Sequence, residues 1–497
     1  MRMDTGLISL LRLTREKRND IDETRLEKIY SFAAEKHTGQ IRQSGEDYIS
    51  HPLAVAQILA EWGLDQASLE AALLHDLPEM CQVTIEKINS EFGEEVASLV
   101  EGVSRVGQVK LRGSQNTEFL ENLRKMFIAM AKDIRVVLIR LADRLHNIIT
   151  LDAIPLSKQK RIALETLEVY APLAERLGMG RLKGDLEDHA FPYLYPDEYA
   201  WLLDVARPHF KYSSENVSEI INKVRQQLVK HTVKAKVEGR PKRQYSLYKK
   251  LLRPEVNRDI TKIYDLMAIR VITPDTASCY SALGVIHQYW KPVPQYGISD
   301  FIAQPKPNGY QSIHTKIFDN KGNIVEIQIR SEEMHQNAEL GAAAHFAYAE
   351  AKSHGASETK LKEGTAFKVT EKMSWVKQLA GWQNQVSNTK ANYEEFKIDA
   401  LSHRIYVFSP NGDVYDLPEN STPVDFAFEV HSDLGYYIQT VKINNRIVPL
   451  NYQLKSGDIV EIQKSKSPKK PNKNWLRFVK THKAKFEIRR ALNMTET

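Results

Sequence analysis

Residues 71–80 have the sequence Ala-Ala-Leu-Leu-His-Asp-Leu-Pro-Glu-Met, and this stretch decides the fold of the first part of the chain. Its apolar run ends in His75-Asp76, and apolar residues recur upstream at three- and four-residue spacing, as at Leu53, Ala56 and Leu59. Such spacing is typical of amphipathic helices, and it continues from Asp22 to about Tyr193. We therefore expect residues 1–200 to form an all-helical domain, with Ser50 capping one helix.

Polar residues within these predicted helices suit a divalent metal ion. The candidate ligands are two imidazoles and two carboxylates, His51, His75, Asp76 and Asp143. Mn²⁺ fits such a set, as would Zn²⁺ or Fe²⁺, and a bound metal could make a nucleophile of water. Glu79 lies four residues after His75, and Asn147 four residues after Asp143, so each pair would share a helix face. Each residue alone also has an ordinary explanation, such as an ion pair of Asp143 with Arg140 or Arg144.

A change of pattern near Val237 predicts a second domain, of mixed α/β type, within residues 201–390. A helical stretch at 215–233 precedes it, and residues 269–272 and 324–329 have the composition of strands. Alternation along the second strand places three polar side chains on one face, Glu326, Gln328 and Arg330. Residues 352–364 are expected to form a loop, and residues 375–385 a helix.

The second domain carries residues suited to phosphoryl-type transfer, which needs cations, metal-held phosphates and a positioned hydroxyl. The cations are concentrated in one stretch, at Arg240, Lys242, Arg243, Lys249 and Lys250. Asp265 and Glu326 could share a Mg²⁺ ion, and Glu326 could accept the proton of an attacking hydroxyl. In the loop at 306–314, Tyr310 can stack on a purine while Asn308 binds its edge; the alternative is an ordinary turn with Tyr310 half buried.

Residues 400–465 predict a small β-rich module. Strands at 404–408 and 414–417 flank Ser-Pro-Asn-Gly, a strong hairpin signal, and two further strands are expected at 437–443 and 459–463. Residues 466–497 form a basic Pro-Lys linker and a short basic helix. Together with Arg240 to Arg253, this tail would attract phosphates or RNA, although a solvated surface is the simpler interpretation.

Bulk properties narrow the class of protein. The chain has 497 residues, a 42% apolar share, a net charge of +6 and only two cysteines. The length suggests about three domains. Two distant cysteines exclude a disulfide framework, and the sequence has neither an 18-residue apolar run nor a secretory signal. These features predict a cytoplasmic protein without a membrane span.

The helical region resembles a known family. His51, His75-Asp76 and Asp143 match the metal ligands of HD-type phosphohydrolases, and residues 37–52 and 133–147 resemble the N-terminal domain of the RelA/SpoT (Rel) enzymes. The resemblance implies a (p)ppGpp 3′-pyrophosphohydrolase that uses Mn²⁺. It further implies that Arg42 contacts guanine, that Asn147 positions the nucleotide and that Glu79 orients the attacking water.

The second domain resembles the nucleotidyltransferase-like synthetase domain of the same family, through motifs that occur in the family's order. They are Gly239-Arg-Pro-Lys, residues 264–271, residues 306–314 and Glu326-Ile-Gln-Ile-Arg. The resemblance implies that Arg240 and Lys242 handle ATP, that Lys250 contacts phosphates and that Asp265 and Glu326 bind Mg²⁺. Tyr310 would then stack on guanine, and His314 would contact the acceptor's phosphates.

Two departures from the family pattern affect these expectations. The hydrolases carry Glu-Asp two residues beyond the His-Asp pair, where this chain has Glu79-Met80, and a thioether cannot act as a base. We therefore expect metal binding with weakened hydrolysis. The motif that separates bifunctional members from synthetase-only members is replaced by Gly297-Ile-Ser-Asp300, which leaves the preference for GDP or GTP open.

The third module resembles a TGS domain of the β-grasp type, through residues 422–435. The resemblance implies that His431 meets the 3′ end of uncharged tRNA on the ribosome; the alternative is a regulatory module without RNA contact. The zinc-finger-like and ACT-type domains of long members do not follow, which predicts a long form truncated after the TGS domain and only weak ribosome binding.

The function expected from these observations is a (p)ppGpp synthetase of the stringent response. It would transfer the β,γ-diphosphate of ATP to the 3′-hydroxyl of GDP or GTP, with a weakened HD hydrolase. The alternatives are a fully bifunctional enzyme, if Glu79 suffices without a following Asp, and a tRNA- or ribosome-binding regulator with vestigial catalysis. A generic metal phosphohydrolase is the weakest interpretation.

Overall fold

The computed structural model describes residues 4–107, 132–294, 297–306, 308–319, 322–344, 346 and 404–493. Of residues 106–107 and 211–216 it describes the backbone alone. The chain divides into two units, one containing residues 4–105 and 133–346 and the other containing residues 404–493. The expected loop at 352–364 and helix at 375–385 lie outside the described residues.

The first part of the N-terminal unit is helical, as its sequence periodicity predicts. Its helices are α1 (Thr5–Lys17), α2 (Glu23–Lys36), α3 (Ser50–Glu61), α4 (Gln66–Leu74), α5 (Leu77–Met80), α6 (Ile85–Phe92), α7 (Glu94–Gly107), α8 (Ile134–Ile149), α9 (Leu156–Glu165), α10 (Ala171–Arg176) and α11 (Gly180–Leu194). A 3₁₀ turn, Leu151–Ala153, precedes α9, and a π-helical turn, Thr166–Tyr170, follows it. We call this region the helical domain.

Two local expectations for the helical domain differ from the structure. The helices begin at Thr5 rather than near Asp22, with the carboxylate of Asp4 capping α1. The expected cap at Ser50 is wrong, because Ser50 is already the first residue of α3 and its hydroxyl donates to Glu46 at 3.2 Å. The periodic apolar pattern located the helices, while side-chain partners from neighbouring loops decided their ends.

The second part of the N-terminal unit, residues 196–346, is a mixed-sheet domain. Its elements are α12 (Pro196–Lys230), β1 (Lys236–Pro241), α13 (Gln244–Leu251), a 3₁₀ turn (Ile260–Lys262), β2 (Met267–Thr273), α14 (Thr276–Tyr289), β3 (Ile298–Asp300), β4 (Ile313–Phe318), β5 (Ile324–Ser331) and α15 (Glu332–Leu340). Both strands expected here are confirmed, within two residues at each end. The preceding helix is much longer than expected.

The five strands form one sheet in the order β1-β2-β5-β4-β3, in which only β2 and β5 are parallel. The expected alternation along β5 is confirmed. Val325, Ile327 and Ile329 enter the apolar core together with α12 and α14, so the opposite face is left to polar residues. That polar face is the platform on which the candidate transfer site is built.

The helical and mixed-sheet domains meet backbone to backbone. The amide of Ala342 donates to the carbonyl of Leu177 at 2.8 Å. At Gly341, with φ of +52°, an added Cβ would lie 2.2 Å from that carbonyl oxygen, so only glycine fits. Arg243 reinforces the contact through ion pairs with Asp185 at 2.7 Å and Asp188 at 3.6 Å.

The C-terminal unit is the small β-rich module that its sequence predicts. It contains β6 (Arg404–Phe408), β7 (Val414–Pro418), α16 (Pro423–Val430), α17 (Ser432–Tyr436), β8 (Ile438–Ile443), β9 (Arg446–Val448), β10 (Val460–Lys464), a 3₁₀ turn (Lys473–Arg477) and α18 (His482–Ala491). The expected hairpin is confirmed as the β6–β7 pair, and β8 lies between β10 and β9. A parallel bridge from Phe408 to Ile459 joins the two sheets, and α16 covers their apolar face.

Candidate active sites

The four candidate metal ligands of the helical domain come together at the junction of α3, α4 and α8. His51 Nε2 lies 3.2 Å from Asp143 Oδ1 and 3.5 Å from Asp76 Oδ2, and His75 Nε2 lies 3.2 Å from Asp76 Oδ1. His51, His75 and Asp143 are at most 5% exposed. Metal-ligating atoms of His51, His75 and Asp76 all lie within 4.8 Å of one another.

The donor chemistry of this cluster fits a divalent cation. His75 Nδ1 lies 2.7 Å from the carbonyl oxygen of Ala72, and a carbonyl can only accept, so the ring proton resides on Nδ1. His75 Nε2 therefore presents a lone pair toward Asp76, and it has no hydrogen-bond partner among the described residues. A divalent cation placed between this lone pair and the carboxylate would bind both groups, and the four candidate side chains are of the types that ligate such an ion.

Asp143 is both a candidate ligand and an ion-pair partner. Its Oδ2 accepts from Arg140 at 2.8 Å, which is the structural alternative considered from the sequence, while its Oδ1 faces His51. Burial would raise the pKa of Asp143, but Arg140, His51 and His75 together outweigh it and hold that pKa well below the ordinary value. Asn147 donates to Asp143 Oδ1 at 2.6 Å, so its amide orients this carboxylate.

The segment after His75 corrects the expectation of one continuous helix. Helix α4 ends at Leu74, and α5 begins at Leu77 with Pro78 in its first turn, so His75 and Glu79 belong to different helical segments. Glu79 nevertheless stays close to the cluster: burial and the charge of Asp76 raise its pKa. Met80, in contrast, is 46% exposed.

Three polar residues of this site escaped the sequence analysis. Tyr48 donates to Asp76 Oδ2 at 2.9 Å. His146 Nδ1 lies 2.8 Å from His51 Nδ1 and 3.3 Å from Arg42, and Arg42 also donates to Thr150 at 3.2 Å. His146 follows Asp143 by three residues on α8, a helical spacing that could have indicated it.

The candidate transfer site of the mixed-sheet domain is organised around Asp265, just before β2. Lys242 donates to Asp265 Oδ2 at 2.6 Å, and Lys250 donates to Oδ1 at 2.8 Å. Burial would raise the pKa of Asp265, but the two ammonium groups outweigh it and lower that pKa to about 2. Each carboxylate oxygen keeps a second lone pair, so Asp265 still fits an oxygen-seeking cation.

Glu326 lies beside this group on the polar face of β5. Its Oε1 accepts from Gln328 at 2.9 Å and lies 3.5 Å from His314 Nδ1, while Gln328 in turn contacts Arg240 at 3.5 Å. The charge of Lys242 interacts with both Asp265 and Glu326. The structure therefore brings both candidate Mg²⁺ carboxylates and the first basic residues to the end of the sheet where the parallel strands β2 and β5 begin.

A cavity of about 230 Å³ adjoins this site through Arg240. It is lined by predicted nucleotide contacts of the mixed-sheet domain and by side chains of the helical domain, among them Arg240, Asn308, Tyr310, Arg330, Glu175, Lys183 and Glu187. The hydroxyl of Tyr310 contacts His314 Nε2 at 2.8 Å, and burial lowers the pKa of His314 to about 4. A neutral His314 leaves the positive charge of this site to lysine and arginine.

Arg330 and Asp300 both have structural partners. Arg330 is 1% exposed, and its guanidinium binds His335 at 2.8 Å and Glu339 at 3.1 Å. Asp300, in β3, accepts from the amides of residues 302 and 303 at 2.9 Å and from Tyr280 at 3.0 Å, so it fixes the turn after β3. In the C-terminal unit, the side chain of His431 is 70% exposed and its Nδ1 accepts from the amide of Asp433.

Three family profiles match the chain. A profile of HD domains matches residues 30–180, the profile described as a region found in RelA / SpoT proteins matches residues 239–353, and the TGS-domain profile matches residues 405–464. These matches fall on the helical domain, the mixed-sheet domain and the C-terminal unit, respectively. No helix among the described residues is long and apolar enough to cross a membrane.

Curated proteins resemble the chain over nearly all of its length. It is 44% identical over 474 residues to a Myxococcus xanthus protein named GTP pyrophosphokinase, covering 95% of this chain and 60% of that protein. It is 42% identical over 476 residues to an Aquifex aeolicus guanosine-3′,5′-bis(diphosphate) 3′-pyrophosphohydrolase, covering 95% and 65%. It is 41% identical over 468 residues to the bifunctional (p)ppGpp synthase/hydrolase SpoT of Escherichia coli, covering 94% and 64%. The chain thus spans less than two thirds of the length of these relatives.

Proposed function

Because the chain belongs to the RelA/SpoT family, we propose that it transfers the β,γ-diphosphate of ATP to the 3′-hydroxyl of GDP or GTP, releasing AMP. The observation that carries the proposal is the convergence of Lys242, Lys250, Asp265 and Glu326 where β2 and β5 begin, next to Arg240, which lines a cavity. Transfer of a charged diphosphate requires such cations and carboxylates in one place. The compartment that suits these substrates is the cytoplasm.

The proposed roles follow from the contacts. Glu326 accepts the proton of the attacking 3′-hydroxyl, since Gln328 holds its carboxylate in place and its side chain keeps access to solvent. Asp265 and Glu326 would hold a Mg²⁺ ion, whose charge would neutralise the transferred diphosphate. Arg240, Lys242 and Lys250 bind ATP phosphates. The two lysines can exchange Asp265 for these phosphates, because a carboxylate and a phosphate accept the same kind of charged hydrogen bond from an ammonium group.

The cavity is proposed to hold the acceptor. Tyr310 offers a ring face to the guanine base, and Asn308 offers an amide to the edge of the base. His314, Gln328 and Arg330 would complete the surroundings of the acceptor from the polar face of the sheet. The hydrogen bond from Tyr310 to His314 fixes the orientation of both rings before the nucleotide binds.

A second activity, 3′-pyrophosphohydrolysis of (p)ppGpp, is favoured by the metal cluster of the helical domain. Its buried lone pairs and carboxylates suit Mn²⁺, which would lower the pKa of a bound water. Glu79 would orient that water, Asn147 positions Asp143, and Arg42 would contact the nucleotide. The methionine at position 80 removes a carboxylate, so we propose that hydrolysis is slower than in relatives with Glu-Asp.

Contact with uncharged tRNA or the ribosome through the C-terminal unit is proposed on narrower grounds. The TGS match and the exposed imidazole of His431 support it.

The test of the main proposal uses the purified chain with ATP, Mg²⁺ and labelled GDP or GTP. Formation of a guanosine tetra- or pentaphosphate with release of AMP is expected. A second assay with ppGpp and Mn²⁺ measures release of diphosphate. Absence of product in the first assay would refute the synthetase, and diphosphate release as fast as in Glu-Asp relatives would refute the weakening by Met80.

A further inference from the structure

His146, on α8, lies between a candidate metal ligand and a candidate nucleotide contact. Its Nδ1 atom is 2.8 Å from His51 Nδ1 and 3.3 Å from the Arg42 guanidinium. Both partners therefore meet the same nitrogen atom of His146. That atom carries either a proton or a lone pair, so the two contacts constrain each other.

The arginine decides where the protons lie. A guanidinium has only donors, so a hydrogen bond from Arg42 requires a lone pair on His146 Nδ1. The contact between the two imidazoles must then be donated by His51, whose proton consequently resides on Nδ1. His51 Nε2 is left with a lone pair directed at Asp143 Oδ1 and Asp76 Oδ2, where a metal ion would bind.

The other proton arrangement of His51 competes with metal binding. With the proton on Nε2, His51 would donate to Asp143 Oδ1, which lies 3.2 Å away, and both groups would be satisfied without a cation. His51 Nδ1 would then have to accept from a proton on His146 Nδ1, which would face the N–H of Arg42. The contact with Arg42 therefore disfavours the arrangement that closes the site to metal.

We propose that His146 is a positioning residue that keeps His51 in its metal-binding tautomer, and that Arg42 holds His146 in this role. The proposal rests on the proposed hydrolase site and concerns how that site is prepared for its metal. His75 reaches the same tautomer independently, through the carbonyl of Ala72. Side chains that orient metal-ligating histidines typically change metal affinity by about 10- to 100-fold when they are removed.

The test measures Mn²⁺ binding to the full chain by electron paramagnetic resonance, in the absence of nucleotide. Asp143→Ala defines the fraction of binding that belongs to the helical domain, as distinct from the transfer site. His146→Ala is expected to weaken this fraction by about 10- to 100-fold. His146→Asn is expected to restore affinity close to that of the parent, since its amide oxygen can accept near the position of Nδ1.

Two further variants separate positioning from packing. Arg42→Met removes the hydrogen-bond donor to His146 from the exposed loop between α2 and α3 and leaves every candidate ligand intact. It should nevertheless weaken Mn²⁺ binding. His189→Ala, at an exposed position on α11, should leave it unchanged. Circular dichroism and thermal unfolding verify the fold of each variant. If His146→Ala does not fold, the Mn²⁺ affinities of Arg42→Met and His146→Asn test the positioning role.

The outcomes distinguish this inference from the proposed function. If His146→Ala and Arg42→Met bind Mn²⁺ as tightly as the parent, the positioning role is wrong and the metal site remains. The same conclusion follows if His146→Asn loses as much affinity as His146→Ala. A parent chain without any Mn²⁺ binding that depends on Asp143 would overturn the hydrolase site and this inference together.

Discussion

Replacing Glu326 by glutamine tests the proposed proton acceptor most directly. The two side chains have the same shape, and the Oε1 atom that accepts from Gln328 at 2.9 Å remains available in the amide. The substitution removes a charge that lies 3.5 Å from His314 and interacts with Lys242. We therefore expect the fold to persist while the base and one candidate metal ligand are lost.

The magnitude follows from the role. A positioned general base contributes about 10²- to 10⁴-fold to a rate, and each tenfold corresponds to about 1.4 kcal/mol of activation free energy. Glu326→Gln should therefore raise the barrier of synthesis by about 3–5 kcal/mol. The loss should appear mainly in kcat, since the substitution keeps the basic residues proposed to bind ATP and the cavity proposed to hold the acceptor.

The assay follows conversion of ATP and labelled GTP at saturating substrate, with Glu333→Gln as the matched control. Glu333 is an exposed carboxylate near the start of α15, so its neutralisation should have little effect. Diphosphate release from ppGpp should be the same in Glu326→Gln as in the parent chain. Synthesis within about tenfold of the parent, well short of the contribution of a general base, would show that another group accepts the proton.

Three further predictions concern hydrolysis, the stability of the C-terminal unit and the ion pairs of Asp265. Met80→Asp should speed hydrolysis of ppGpp by about 10²-fold, the lower range for a general acid or base, and an unchanged rate would mean that Glu79 suffices. Asp425→Asn should lower the free energy of unfolding of the C-terminal unit by about 1–3 kcal/mol, measured in urea against Asp433→Asn, because Asp425 accepts from the amides of residues 422, 480 and 481. Asp265 has a pKa lowered to about 2 by its two lysine partners. The stability that these ion pairs add to the folded chain is therefore complete above a pH of about 4 and is lost toward pH 2. The stability difference between the parent and Asp265→Asn should shrink over that range, and a constant difference would contradict the ion pairs.

The sequence predicted the elements of the fold well where periodicity is strong. The alternation of Val325, Ile327 and Ile329 located β5 and its polar face, and the hairpin signal at 409–412 located β6 and β7. Helix ends were less predictable. Ser50 has a side chain that can cap a helix, but it is the first residue of α3 and its hydroxyl donates to Glu46, so residue type alone did not fix the start of this helix.

The candidate sites were predictable as lists of residues but not as networks. Spacing and family motifs indicated Asp265, Lys242 and Lys250 separately, whereas their mutual hydrogen bonds depend on how the segment before β2 packs against α13 and the residues that precede it. Tyr48 was missed because its partner Asp76 is far away in sequence, and the spacing of His146 from Asp143 could suggest a shared helix face but not the contact with His51. The side chains with which the helical domain lines the cavity were also not predicted, because they come from a distant part of the sequence.

The backbone contact between Leu177 and Ala342 has a practical consequence for separating the helical domain from the mixed-sheet domain. A boundary at residue 200 would cut within α12 and leave the mixed-sheet fragment without Glu175, Lys183 and Glu187, which line its cavity. It would also expose Gly341, whose backbone lies too close to Leu177 and Gly178 for any side chain to fit between them. A fragment that begins before α10 keeps these three side chains, and comparing nucleotide binding by the two fragments would measure how much the helical domain contributes to the cavity of the mixed-sheet domain.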